Sequence, residues 1–403
     1  MAISKSKHLE HVKYEIRGRI AQRAAELKAT GAKVLELNIG NPGAFGFQVP
    51  DSMNLALIRN LDKAAPYCNS KGIVEAREAI VADAASYGLK NLDVEHVYIG
   101  NGCSELIVMS MEALLNPGDE VLVPSPDYPL WTAAVRLADG KAMHYPCVPE
   151  KGWQPDVEAM ARMITDKTRG IVVINPNNPT GAVYPKETLL AILELARKHK
   201  LIIFADEIYS KITYNGVKHV PLATLSSDVL TITFNGISKN YRACGFRSGW
   251  MYFTGPTAEA KDYMEGITLL ASMRLCANVT AQWTIPTALN GYQSVFSLTS
   301  DGGRLKEQRD LTVKRLNAIP GIKCAAPEGA LYAFPEIDLS LYNFKDVEDF
   351  CFRFLEEKHV MVVHGTGFNY SKSAAFRVVF LPWCETLANA FDRLEEFLAA
   401  NKR

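Results

Sequence analysis

The strongest constraint on this chain is a rhythm: from about residue 50 to 295, short apolar runs rich in β-formers alternate with segments of helical periodicity. The strand-like runs are His96–Ile99, Glu120–Val123, Gly170–Ile174, Leu201–Ala205, Leu230–Phe234 and Gly249–Phe253. Between them Ile73, Ala76, Ile80 and Ala84 share one helical face, as do Leu189, Ile192, Leu193 and Ala196. Strands that alternate with helices predict an α/β fold, a sheet covered on both faces.

After about residue 296 the rhythm changes. A polar helix over Gly303–Ala318 precedes Pro320-Gly321, and short strands come next around Leu331–Phe334, Val360–Val363 and Phe376–Phe380, with helices at Lys345–Lys358 and Glu385–Asn401. This reads as a smaller α+β domain, with a helix from about Arg17 to Thr30 packing on it. The expected division is 49–295 for the large domain, and 1–48 with 296–403 for the small one.

Composition narrows the function. Lys plus Arg and Asp plus Glu number 44 each, which leaves no basic field for nucleic acid or an anionic membrane. The basic stretch Lys5 to Lys13 reads as a solvated arm. The eight cysteines form no CxxC pair and none neighbours histidines at zinc spacing, so neither a disulfide framework nor a metal site is expected. A reducing cytoplasm is the simpler location. The segment Met1 to His8 lacks the apolar core of a secretory signal, and the apolar runs at 171–174 and 201–205 are too short to span a bilayer.

In open α/β sheets ligands bind beyond the carboxyl ends of the strands, so the chemistry is sought there. Gly100-Asn101-Gly102-Cys103-Ser104 opens a helix over Glu105–Leu115, where backbone N–H groups and the helix dipole attract an anion; the plain alternative is a βα turn capped by Ser104. Asn175-Pro176-Asn177-Asn178-Pro179-Thr180-Gly181 carries more turn chemistry than a turn needs, as a loop aiming an amide would. Asp206, directly after an apolar strand, is expected to be partly buried beside a positive partner, unless it only caps a helix. Lys239 comes after another strand, where desolvation makes an amine nucleophilic, and Arg247 lies eight residues on; either is a surface charge in isolation. Together these offer a phosphate nest, a guanidinium, an amine, a carboxylate and an amide with the phenol of Tyr209. Pyridoxal 5′-phosphate presents the matching phosphate, aldehyde, ring nitrogen and ring hydroxyl.

With those residues in place, the chain resembles the class I aminotransferases, fold-type I pyridoxal-phosphate enzymes, over essentially its whole length. Ser238-Lys239 with Arg247, the Asn175–Gly181 loop and Ala205-Asp206-Glu207-Ile208-Tyr209 carry the resemblance. Within the class it is similar to the bacterial glutamate–pyruvate (alanine) transaminases at Tyr14-Glu15-Ile16-Arg17-Gly18, Leu37-Asn38-Ile39-Gly40-Asn41-Pro42, Asp127-Tyr128-Pro129-Leu130-Trp131 and Ser272-Met273-Arg274-Leu275-Cys276-Ala277-Asn278. The resemblance implies a large α/β domain with a mixed, mostly parallel sheet and a smaller α+β domain. It also implies that Lys239 carries the cofactor and moves the substrate proton, while Asp206 pairs with the ring nitrogen. A contact of about 4 Å at an effective dielectric of ~20 is worth about 4 kcal/mol, enough to keep that nitrogen protonated.

By the same resemblance, Asn178 and Tyr209 hold the ring oxygen and Tyr128 stacks on the ring. Gly102, Cys103 and Ser104 with Arg247, and more weakly Ser238, bind the phosphate. Tyr67 resembles a tyrosine that reaches the phosphate from a neighbouring subunit, which implies a homodimer; a plain surface or core aromatic is the alternative. Arg377 clamps the substrate carboxylate, Gly40 and Asn178 line the same pocket, and Tyr14 and Arg17 fold over it or merely cap a helix.

Gly236, where many relatives carry a hydroxyl, and the atypical Asn240 and Trp383 depart from the pattern. Arg274 and Arg17 are the candidates for a distal substrate carboxylate. The expected reaction is L-alanine plus 2-oxoglutarate to pyruvate and L-glutamate by a ping-pong mechanism. An aspartate, aromatic or branched-chain donor, and a lyase on the same framework, stay open. A non-catalytic cofactor-binding sensor of the kind fused to a DNA-binding module is not expected, given a net charge of zero. A nicotinamide dehydrogenase would need a G-x-G-x-x-G turn at Gly100 and leaves Lys239 and Asp206 without roles.

Overall fold

The computed structural model describes residues 3–6, 9, 12 and 18–403. Its centre is an eight-stranded sheet. In spatial order the strands are Val97–Gly100, Gly249–Thr254, Thr231–Gly236, Ile202–Asp206, Thr168–Ile174, Glu120–Ser125, Lys141–Val148 and Gln154–Pro155. Gly249–Thr254 runs antiparallel to both neighbours, and the short edge strand Gln154–Pro155 is antiparallel to Lys141–Val148. The remaining pairs are parallel. This is the α/β sheet that the alternating pattern predicts, mixed and mostly parallel as the resemblance implies, and the two predicted apolar helix faces are buried.

Two features of the sheet differ from the sequence reading. Lys141–Val148 is a full strand that the pattern did not reveal, because it lies near the sheet edge and leaves most of its side chains partly exposed. Asp206 is the last residue of its strand rather than the first residue beyond it, paired with Phe234 across the sheet. The carboxylate therefore stands on the strand itself, buried at 3% exposure.

In the carboxyl-terminal third, Tyr332–Ala333, Phe376–Val379 and Val363–His364 form a three-stranded antiparallel sheet. The single strand expected over Val360–Val363 is in fact divided. Val360–Met361 pairs with Leu35–Glu36, and Val363–His364 turns to pair with Phe376–Val379. Helices Arg304–Ala318 and Val347–Lys358 pack on Cys384–Ala400, and the helix Arg19–Ala29 packs on Val347–Lys358, with an Arg23–Glu356 ion pair. One apolar core gathers Ile20, Leu37, Phe350, Phe376 and Leu394, and also takes in Tyr209, Ile212 and Tyr214. Residues after the Asp206 strand are thus packed directly against the carboxyl-terminal unit. Among the described residues no helix is long and apolar enough to cross a membrane.

Candidate active site

The carboxyl ends of the strands open into a cavity of about 200 Å³. At one end lies an anion cradle. The helix Cys103–Leu114 begins two residues earlier than the sequence pattern suggested, and its N-cap is Gly102, not Ser104. No side chain caps the helix, and Gly102 has φ +81°. A Cβ at that position would stand 2.2 Å from Nη2 of Arg247, so only glycine lets the guanidinium lie across the helix start. Arg247 is held there by bonds from Nη1 to the Cys244 carbonyl (2.9 Å) and from Nη2 to the Asn101 carbonyl (3.2 Å). The Cys103 thiol donates to the Asn235 carbonyl at 3.0 Å, and Cys103, Ser104 and Ser238 all line the cavity.

Asp206 forms the floor. Its Oδ2 accepts from Nε1 of Trp131 at 3.0 Å, and Oδ1 from the Ile208 amide at 3.4 Å. The expected positive partner is not found among the described residues. Burial raises the carboxyl to about 6 despite the Trp131 bond. Trp131 is fully buried and edge-on to Phe234, centroids 5.2 Å apart, so the donor is fixed by packing. A buried acid without a protein cation, an amine-bearing wall and an anion cradle that a Cβ would fill together accommodate pyridoxal phosphate, with its basic ring nitrogen at Asp206.

The amine is that of Lys239, whose Nζ donates to the Gly40 carbonyl at 2.6 Å. Above it, Tyr209 and Tyr332 share a hydroxyl–hydroxyl bond of 2.7 Å. Burial, and then the neighbouring Tyr332, hold the Tyr209 phenol well above its usual pKa, so it stays protonated. Arg377 is 2% exposed and lies between the rings of Tyr332 and Phe368, each centroid 4.5 Å away. Its Nη1 donates to Oδ1 of Asn178 at 2.9 Å and its Nη2 to the Asn38 carbonyl. Tyr128 lines the same cavity. The preceding Asp127 is fully buried and accepts from the Thr132 hydroxyl (2.6 Å) and the Asn369 amide (2.8 Å). It ties the Tyr128 turn to the Phe368 turn.

Gly40, Cys103, Ser104, Tyr128, Asn178, Asp206, Tyr209, Ser238, Lys239, Arg247 and Arg377 therefore converge on one cavity, with Gly102 at its rim. Other expectations fall elsewhere. Tyr67 is 78% exposed on the surface of this chain. Tyr14 and Arg17 lie outside the described residues. Arg274 donates to the Ile99 carbonyl at 2.8 Å and pairs with Glu105 at 3.3 Å, away from the cavity lining. Asn240 is a buried brace that accepts from the Lys211 amide and donates to Ser210. Trp383 covers the Arg304 guanidinium at 3.4 Å. Gly236 faces the Gly249 backbone, where a Cβ would meet Cα at 3.0 Å. Sequence reasoning assigned no role to Trp131 or Tyr332. Trp131 was signalled only by its place three residues after Tyr128, and Tyr332 by nothing local.

This cavity, on a mostly parallel sheet of this order, defines a pyridoxal-phosphate enzyme. Residues 32–394 match the family model for aminotransferase class I and II, and the chain belongs to that family; it is a pyridoxal-phosphate-dependent aminotransferase. It is 53% identical to the glutamate-pyruvate aminotransferase AlaA of Escherichia coli strain K12 over 397 residues, 98% of each chain. It is 49% identical to the alanine aminotransferase of Mycobacterium tuberculosis strain H37Rv, covering 100% of this chain and 94% of that one. The crystal structure of an aminotransferase from Escherichia coli superposes with a TM-score of 0.98 at 52% identity, covering 100% of both chains.

Proposed function

We propose that the chain transfers the amino group of L-alanine to 2-oxoglutarate, giving pyruvate and L-glutamate, with the two substrates using one site in turn. The observation that carries this is the placement of the Arg377 guanidinium, buried between two rings and bonded to Asn178, across a small cavity from the Lys239 amine. Pyridoxal phosphate supplies an aldehyde for the substrate amine and a protonated ring that withdraws electrons from the α-carbon. Gly102, Cys103, Ser104 and Arg247, with Ser238 beside them, would hold its phosphate; Asp206 would keep a proton at the ring nitrogen, and Asn178 and Tyr209 would orient the ring hydroxyl. Tyr128 would cover the ring face.

Arg377 binds the α-carboxylate common to all four reactants, in the bidentate geometry that suits a planar anion. Nζ of Lys239 would take the proton from the substrate α-carbon as a general base and return it on the cofactor side as a general acid. The relatives that bear alanine and glutamate–pyruvate names support alanine as donor. Arg17, outside the described residues, is the remaining candidate for the distal carboxylate of glutamate.

The exposure of Tyr67 and its resemblance to a phosphate-contacting tyrosine support a homodimer in which it reaches the neighbouring site. Equal acidic and basic counts and eight free cysteines support a cytoplasmic location.

The test is spectroscopic. L-alanine should bleach the yellow band of the holoenzyme, and 2-oxoglutarate should restore it, while Lys239→Ala should trap no cofactor on borohydride reduction. Release of pyruvate, ammonia and sulfide from L-cysteine with no keto-acid acceptor would make the protein a lyase. A monomer by equilibrium sedimentation would remove the shared-site role of Tyr67.

A further inference from the structure

A second cavity, of about 330 Å³, lies between the helix Val74–Ser86, the segment from Glu207 to Pro221 and the strands Thr231–Gly236 and Gly249–Thr254. None of its lining residues belongs to the cofactor cavity. Its lining carries two cations, the exposed Lys218 and the buried Lys211. Lys211 donates to the Tyr241 hydroxyl at 2.9 Å and to Gln293 Oε1 at 2.8 Å, and pairs with the Asp83 carboxylate at 3.6 Å.

The acceptors, by contrast, are incompletely used. Asp83 has the long contact to Lys211 as its one side-chain ion pair among the described residues. The His219 side chain is 6% exposed, and its Nε2 lies 3.2 Å from Oε2 of Glu207, whose Oε1 already accepts from the Leu222 amide. That contact favours the tautomer with the proton on Nε2. Nδ1 then presents a lone pair; neither ring nitrogen has a hydrogen-bond partner among the described residues, the Nε2–Glu207 approach being a charge contact only. A buried acceptor left without a donor is costly, and a ligand N–H would satisfy it. Tyr87, Trp250 and Tyr252 supply aromatic walls, the surface on which a cation with a flat apolar body rests well.

We propose that this cavity is a second binding site, for a small organic cation whose N–H groups bond to Asp83 and Nδ1 of His219 and whose apolar body lies on Tyr87, Trp250 and Tyr252. This assignment stands independently of the transamination reaction.

Benzamidine is a suitable probe, because its amidinium carries the required donors and a flat ring, and it lacks the carboxylate that Arg377 would bind. Isothermal titration of the holoenzyme with benzamidine should show saturable binding of one molecule per chain. Asp83→Asn and His219→Phe should each weaken it at least about tenfold, the factor expected for one charge-assisted hydrogen bond. Val217→Trp, which narrows the half-exposed mouth and leaves both acceptors in place, should weaken it to a similar degree. All three variants should keep wild-type transaminase activity. Absence of saturable benzamidine binding to the wild-type holoenzyme, or binding that none of the three substitutions alters, would overturn the assignment.

Discussion

A Cβ on residue 40 would stand 2.1 Å from the Tyr332 hydroxyl, so Gly40 and Tyr332 are fitted to each other across the mouth of the active site. Tyr332 cannot withdraw, because it is 2% exposed, bonded to the Tyr209 hydroxyl and packed on Arg377.

Gly40→Ala should therefore lower kcat/KM for alanine by roughly 10- to 100-fold, the effect of about 1–3 kcal/mol of overpacking at the substrate wall. Adding Tyr332→Phe, which removes the nearest atom, should recover part of the loss. Steady-state kinetics of the two single variants and the double variant test this; strict additivity would show that the two residues do not meet.

The cradle makes a separable prediction. Gly102→Ala places a methyl where Nη2 of Arg247 now lies and forces a side chain onto φ +81°. The dissociation constant for pyridoxal phosphate, measured by absorbance titration of the stripped protein, should rise about tenfold or more, equivalent to ~1.4 kcal/mol. The thermal midpoint of the stripped protein should change far less, since the rim of the cavity carries little of the core.

Arg377→Lys exchanges a planar fork for a point charge. KM should rise roughly 10- to 100-fold for alanine and glutamate alike, with kcat less affected, because the α-carboxylate is common to both donors. A loss confined to one donor would assign Arg377 to a side-chain contact instead.

Asp127 predicts a pH dependence of stability. Burial raises its carboxyl to about 7, against an ordinary value of 3.8, and the bonds from Thr132 and Asn369 only partly offset this. With the folded pKa above the unfolded one, the stabilising share of this group is complete below about pH 4 and is lost as pH rises through 7. Asp127→Asn imitates the protonated acid, so the variant should gain on the wild type by up to ~1.4 kcal/mol per pH unit between about pH 4 and 7, then level off. Urea unfolding of both proteins at several pH values measures the difference; a difference that does not vary with pH would contradict the burial argument.

Much of this site was legible because its parts sit immediately after apolar runs. Asp206, Lys239 and the Asn175–Gly181 loop could each be found at the carboxyl end of a buried strand, and no one of them was convincing without the others. The missing parts were illegible for physical reasons. Tyr332 lies in a two-residue strand whose importance comes from a tertiary approach to Gly40 and Arg377. Trp131 reads as an ordinary core aromatic, and only its Nε1 bond to Asp206 distinguishes it. The helix start was misplaced because Ser104 is a good cap by type, whereas a bare Gly102 leaves the first turn open to an anion. Asn240 and Trp383 looked unusual in sequence, yet one is a brace behind the cavity and the other a surface lid on Arg304.

Arg377 reaches back 339 positions to the Asn38 carbonyl and 199 to Asn178. A chain leaving the ribosome has every group proposed for the cofactor in hand once Arg247 has emerged, but it lacks the substrate clamp for another 130 residues. The groups proposed for the cofactor therefore all precede the substrate clamp in the order of synthesis. A product truncated between these points would lose its recognition of amino acids while keeping the groups that would hold the coenzyme.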